Sequence, residues 1–201
     1  MRFDATGAFA HDLRTPLTSI AMVLAIARTI ASEGDLTLDD ELEKMLRSSI
    51  SSINDLLDDF HESSRIERNM VTFATAPTDM RAVIEAAVKE AESEVSLGEM
   101  LESRIGPWDG PRLQRAIFQL AESANRLGDG SGKVALSARL NADQITLHIS
   151  SGSMDGLTRE VSTDAGYFFF RAVLIVEAIG GTVVAERVVG GAKLTVSLLS
   201  A

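Results

Sequence analysis

The chain has 201 residues, 45% of them hydrophobic, a formal net charge of −10 and no cysteine. That length allows one large domain or two small ones around a real buried core. The acidity argues against nucleic acid and anionic membrane surfaces as partners, since both are bound through cationic groups. The lack of cysteine excludes disulfides, thiolate zinc sites and thiol nucleophiles, and it fits a cytoplasmic location.

Residues 6–33 read as a long helix, with Phe9, Leu13, Leu17, Ile20, Leu24, Ala27 and Ile30 stepping by three or four along one apolar stripe. "SEGD" at 32–35 reads as a stop and a turn. A second long helix spans about 37–68, with Leu38, Leu42, Leu46, Ile50, Ile53, Leu57 and Phe60 as its stripe. Two long helices joined by a short turn make an antiparallel hairpin. A hairpin alone cannot cover two such stripes, so a second copy of the chain is expected to complete a four-helix bundle. "DDELEK" and "DLLDD" read as solvated helix faces. "FATAPTDM" at 73–80 reads as a linker, which divides the chain into 1–74 and 75–201.

The second part reads as alternating helices and strands. A helix is expected over 79–92, capped by Thr78 or Asp79. "IGPWDGP" at 105–111 reads as irregular, and Trp108 fits core or surface equally. A helix follows at 111–127, then strands at 133–140 and 144–150 around an "NAD" turn. After the loop "SSGSMDG" comes a buried helix at 166–179. A last hairpin, 182–189 and 193–199, turns at Gly190-Gly191. The fold class is therefore α+β, a helical hairpin followed by an α/β sandwich. The apolar runs near 19–27 and 165–180 are too short to span a bilayer or are cut by Arg171 and Glu177, so no direct membrane insertion is expected.

The string "AFAHDLRTPLTSI" at 8–20 holds the chemistry. Successive helical residues turn by about 100°. His11 is two positions from both Phe9 and Leu13, so it points away from the stripe and toward water. Arg14, Thr15 and Thr18 share that polar side. Pro16 cannot donate to Asp12 and should kink the helix one turn after His11. An exposed imidazole beside a carboxylate can act as nucleophile or base. His61 and His148 have ordinary surface or strand positions, and no spacing among the three histidines suggests a metal site.

"HDLRTPLTSI" resembles the phosphoacceptor box of the histidine kinase dimerisation domain, and residues 6–74 resemble that domain as a whole. The resemblance implies that His11 is the phosphoacceptor and that Asp12 assists proton movement. Thr15 would be the position that orients water during dephosphorylation of a partner. It further implies that Arg14 and Thr18 flank the surface where a response-regulator receiver docks. "GPRLQRAIFQLAESANRL" and "GYFFFRAVLIVEAIGGTVVAE" resemble elements of the ATP-binding domain that follows in such kinases.

The nucleotide-contacting positions depart from that pattern. Gln119 and Ser123 stand where two Asn residues are expected, Ser150 where an Asp is, and Met154 where a glycine is. Gly152 and Gly166 are kept, but Phe168 replaces the next glycine. Ser is a poor substitute for an amide oxygen on Mg²⁺, and a Phe blocks close approach of backbone N–H groups to phosphate. The sequence therefore predicts a histidine phosphotransferase that moves a phosphoryl group between His11 and receiver aspartates. It would use no cofactor of its own, bind neither ATP nor a metal, and rely on the Mg²⁺ of the receiver. The alternatives are a divergent kinase core that autophosphorylates from ATP, and a non-catalytic adaptor or phosphatase acting on a response regulator.

Overall fold

The computed structural model describes residues 5–32, 40–154, 158–159 and 166–199. Helices α1 (Ala5–Ser32) and α2 (Asp40–Glu67) pack against one another. Beyond Ser32, the expected turn at 32–35 lies outside the described residues. Asp40, Glu41 and Glu43 open α2 and Arg65 closes it, which complements the helix dipole at both ends. α1 runs through Pro16 without a break, and Pro16 is buried.

The expected stripe on α1 is covered only in part within one chain. Phe9, Leu13, Ile20 and Ala27 are half-buried and Leu17 and Leu24 exposed, while the buried apolar residues of α1, Ala8 and Val23, lie beside the stripe. On α2 the stripe residues Leu42, Leu46 and Ile53 are half-buried and Ile50, Leu57 and Phe60 exposed, while the buried apolar residues are Leu56 and Ile66, off the expected stripe. The hairpin thus keeps an apolar face that this chain does not cover.

Beyond the hairpin come β1 (Ala76–Asp79), α3 (Met80–Glu90), β2 (Glu94–Leu97), β3 (Ile105–Trp108) and α4 (Gly110–Leu127). They are followed by β4 (Lys133–Asn141), β5 (Gln144–Gly152), β6 (Thr158–Arg159), α5 (Gly166–Ala178), β7 (Thr182–Val188) and β8 (Gly191–Leu199). The main sheet has the order β2-β4-β5-β8-β7-β6, with β2–β4 parallel and the other pairs antiparallel. Ile145, Leu147 and Ile149 of β5 alternate inward with Leu136 and Ala138 of β4 and with Leu194 and Val196 of β8. They pack with Leu113, Ile117 and Leu120 of α4, Ile84 of α3 and Ile175 of α5 in one core. Each such side chain contributes about 1.5–3 kcal/mol by leaving water.

Several expectations are corrected. The supposed linker at 73–80 contains β1, which pairs antiparallel with β3 inside the stretch read as irregular. Pro77 lies opposite Pro107, an arrangement a two-stranded ribbon tolerates because neither residue is asked to donate. Trp108 is core. β2, in a stretch between the expected helix at 79–92 and the one at 111–127, pairs in parallel with β4. The last hairpin turns at Val189-Gly190, because Val188 pairs with Gly191. Gly191 belongs to the strand, where a Cβ would meet the Ser153 carbonyl oxygen at 1.9 Å. Of the two proposed caps for α3, Asp79 is the one used: its carboxylate accepts from the Arg81 N–H at 3.0 Å.

Candidate functional site at His11 and the interdomain junction

His11 lies on the outer side of α1, with its side chain 68% exposed. It shares a surface hollow of about 380 Å³ with Arg14, Thr15, Thr18, Ser19 and Met22, so the polar side read from helix geometry is assembled as expected. Thr18 donates its hydroxyl to the Arg14 carbonyl at 2.9 Å. His11 also borders a larger cleft of about 890 Å³ between the hairpin and α4. Its walls include Asp12, Thr15, Asp55, Arg115, Arg126 and Phe168.

Asp12 reaches into the C-terminal domain. Its Oδ2 accepts the backbone N–H of Tyr167 at 2.8 Å, at the N-terminal end of α5. Its Oδ1 lies 3.2 Å from Nη1 of Arg126 and 3.3 Å from Nδ1 of His11. The N-terminus of a helix favours such an anion. Gly166 has φ +79°, and a Cβ there would sit 2.2 Å from the Arg126 guanidinium. The close approach needs the missing side chain. Apolar packing backs the junction: Ala8, Leu56 and Tyr167 form a small buried cluster with Phe9, Leu13, Phe168 and Phe170 around it. Phe9 and Tyr167 meet edge to face at 5.4 Å.

A second junction is ionic and buried. Arg171 of α5, 2% exposed, places Nε 3.2 Å from Asp59 and pairs through Nη2 with Glu62. Its Nη1 donates to Oε1 of Gln119 at 3.0 Å, and Nε2 of Gln119 donates to Asp59 at 3.4 Å. Arg115 reaches Asp59 at 2.8 Å and Arg112 reaches Glu62 at 3.0 Å. Burial pushes the Asp59 carboxyl above its ordinary value against the pull of Arg171 and Arg115. Burial also opposes ionisation of Glu62, but Arg171 and Arg112 hold that group below the ordinary range. "DLLDD" is therefore not a solvated face throughout, because Asp59 is 2% exposed under α4 and α5. The sequence carried one signal for this: a lone Arg inside "YFFFRAVLIV" needs a buried counter-charge.

Comparison with known proteins agrees with this build. Residues 2–69 match the His Kinase A (phospho-acceptor) domain family. Over 222 residues the chain is 24% identical to the signal transduction histidine-protein kinase BaeS of Escherichia coli (strain K12), covering 98% of this chain and 47% of that protein. It is 26% identical over 152 residues to the sensor histidine kinase MtrB of Mycobacterium leprae (strain TN), with 72% of this chain and 26% of MtrB covered. The histidine kinase AdeS of Acinetobacter baumannii superposes with a TM-score of 0.71 at 20% identity, over 94% of this chain and 98% of that one. Full-length ShkA, solved in complex with AMPPNP, gives 0.60 at 21% identity over 95% of this chain and 45% of its own. The chain has the build of a histidine kinase core. It spans about half or less of the length of these curated relatives.

Within this fold, the positions read as nucleotide contacts are engaged elsewhere or turned away. Both ends of the Gln119 amide are bonded, to Arg171 and Asp59. Ser123 donates its hydroxyl to the Gln119 carbonyl at 2.6 Å and is buried. Asn125 accepts from the Gly132 N–H at 2.9 Å, on another side of α4. Ser150 is corrected by strand alternation. Ile149 and Ser151 are buried on the helix side of β5, so Ser150 faces the opposite side of the sheet. The inward residue is Ser151, 3% exposed, whose hydroxyl donates to Asp129 at 3.2 Å. Gly152 closes β5, and Gly166 serves the Asp12 junction. Phe168 is half-buried against the aromatic cluster and lines the large cleft. The loop between Asp155 and Gly166 lies, apart from 158–159, outside the described residues. His148 sits on the outer sheet face 3.3 Å from the Thr195 hydroxyl. Among the described residues no cluster of His, Asp and Glu could hold a metal, and no helix is long and apolar enough to cross a membrane.

Proposed function

We propose that this chain is a cytoplasmic histidine phosphotransferase that exchanges a phosphoryl group between His11 and receiver-domain aspartates without using ATP, as a homodimer. The observation that carries this reading is the state of Gln119. It stands where the family's pattern asks for a Mg²⁺-binding amide, yet it is 2% exposed and held at both ends by Arg171 and Asp59. Octahedral Mg²⁺ needs freely placed oxygen donors. Ser123, bonded to its own helix, supplies none, and Phe168 adds bulk where a glycine is expected. These residues do not fit a Mg²⁺–nucleotide.

The phosphoryl group then comes from an acyl phosphate on a receiver. With Nδ1 of His11 turned to Asp12, Nε2 is the free nucleophile. Its lone pair forms the N–P bond as the P–O bond to the receiver carboxylate breaks, and the carboxylate keeps the electron pair. The Nδ1 proton stays on the ring beside Asp12, which offsets the positive charge gained there. The Mg²⁺ held by the receiver manages the phosphoryl charge. Arg14, Thr15 and Thr18 around the smaller hollow flank the approach.

The test uses two labelled donors. Incubation with Mg²⁺ and γ-labelled ATP should leave His11 unlabelled. Incubation with a pre-phosphorylated receiver should label it, and His11→Ala should abolish that label without unfolding the chain, because the side chain is exposed. Labelling from ATP would overturn the reading in favour of an autokinase.

A further inference from the structure

The junction at Asp12 gives the C-terminal domain a part in the chemistry at His11. An Asp beside a His on an open helix face would be free to turn about its side-chain bonds. Here the Asp12 side chain is only 9% exposed, and both oxygens are tied. The Tyr167 N–H holds Oδ2 alone, at 2.8 Å. Nη1 of Arg126 approaches both oxygens, at 3.2 Å and 3.5 Å, and so fixes the rotation that aims Oδ1 at Nδ1 of His11. Arg126 is half-exposed, and its charge is screened accordingly, so its effect is one of orientation. The backbone is cleared for this contact at Gly166, where a Cβ would collide with both Arg126 and Asp12. His11, Asp12 and Arg126 line one wall of the same cleft.

We infer that Arg126 is a positioning residue for His11, acting through Asp12. It locks the carboxylate against Nδ1, keeps the proton of the neutral ring there, and leaves the Nε2 lone pair free. This rests on His11 being the phosphoacceptor. Only the neutral ring with its lone pair on Nε2 can begin the transfer described above, so a residue that enriches this tautomer raises the reactive fraction. The C-terminal domain then has a role in transfer that does not involve a nucleotide.

The experiment is tautomer measurement by NMR on the full chain with ¹⁵N-labelled histidine, at a pH where the ring is neutral. The variants are Arg126→Ala, Arg126→Lys, Asp12→Asn and the Asp12→Asn/Arg126→Ala pair. Native His11 should be mainly the Nδ1–H form. Arg126→Ala should move it toward the Nε2–H form that free histidine prefers, and Arg126→Lys should recover part of the difference. In the Asp12→Asn background, removing Arg126 should change nothing further. Phosphorylation of His11 by phosphoramidate, a small donor needing no receiver, should slow by about tenfold in Arg126→Ala, less than the roughly hundredfold or more of a group that itself transfers the proton, because Arg126 only positions one. An unchanged tautomer in Arg126→Ala overturns the inference, whether or not the rate falls. A shifted tautomer in a chain whose His11 accepts no phosphoryl group from any donor upholds the positioning and sinks the phosphotransferase reading instead.

Discussion

Asp12 and Tyr167, 155 positions apart, are joined by a 2.8 Å hydrogen bond from a backbone N–H to a carboxylate, and this bond ties the helix bearing His11 to the start of α5. The bond exists because Gly166 has no side chain. An L-residue at φ +79° is strained by roughly 1–2 kcal/mol, and its Cβ would meet Arg126 and Asp12 besides. Gly166→Ala should therefore lower the melting temperature and expose the Asp12 junction to limited proteolysis, while the β-sheet signal in circular dichroism is kept. Native-like melting would show that the junction tolerates a methyl group.

Arg171 should be far more sensitive to truncation than to paired replacement. Arg171→Ala leaves Asp59 and Glu62 partly uncompensated, and breaking a buried pair costs about 3–5 kcal/mol. Urea denaturation should show a loss of that order. Arg171→Met combined with Asp59→Asn removes charge and counter-charge together and should recover most of the loss, with Glu62 still paired to Arg112 at 3.0 Å. A double variant as unstable as Arg171→Ala would mean that shape, not charge, governs the site.

The hairpins, the sheet and the His11 face were legible because each follows from a local period. Apolar steps of three and four gave α1 and α2, and alternation gave β4, β5 and β8. What stayed hidden depends on a partner distant in sequence. Asp59 reads as a surface acid until α5 lowers Arg171 onto it, and Asp12 reads as a neighbour of His11 until Gly166 brings Tyr167 to it. Ser150 fails for a different reason. A slip of one residue on a strand moves a side chain to the other face, and the sequence gives no marker there to fix the count. β1 and β3 were missed because each carries a proline, which argues against a strand except in a ribbon such as theirs.

Acid should unfold the Asp59→Asn variant more steeply than the native chain. Glu62 and Asp109 are held below the ordinary carboxylate range: burial opposes this, but Arg171 and Arg112 prevail at Glu62, and Arg112 with the Ala74 N–H at Asp109. Their stabilisation is fully present above the unfolded carboxyl value of about 4 and is lost as pH falls through their folded values. Asp59 has the opposite sign. Burial raises its folded value, so its ionisation costs the folded state, and acidification through that value relieves the cost. Removing Asp59 removes the opposing slope. Between pH 7 and about pH 2, a range that spans both effects, urea midpoints should fall more in Asp59→Asn than in the native chain, and an equal or shallower fall would reverse the direction assigned to Asp59.

The uncovered face of the hairpin predicts the oligomeric state. Leu17 and Leu24 on α1 are 49% and 56% exposed, and Ile50 and Leu57 on α2 are 46% and 49% exposed. Each pair is seven residues apart, so each lies along one line of its helix, the spacing by which helices pack side by side. A two-fold partner would cover every one of them twice, and a fully buried side chain of this size contributes about 1.5–3 kcal/mol. The native chain should be a dimer by light scattering at low micromolar concentration. Leu24→Glu or Leu57→Glu should each yield monomers, since either places a carboxylate against its own symmetry mate's apolar face. Both positions are open in the single chain, so the α/β part should melt as before. A native chain that scatters as a monomer would leave the apolar face without a dimer to explain it.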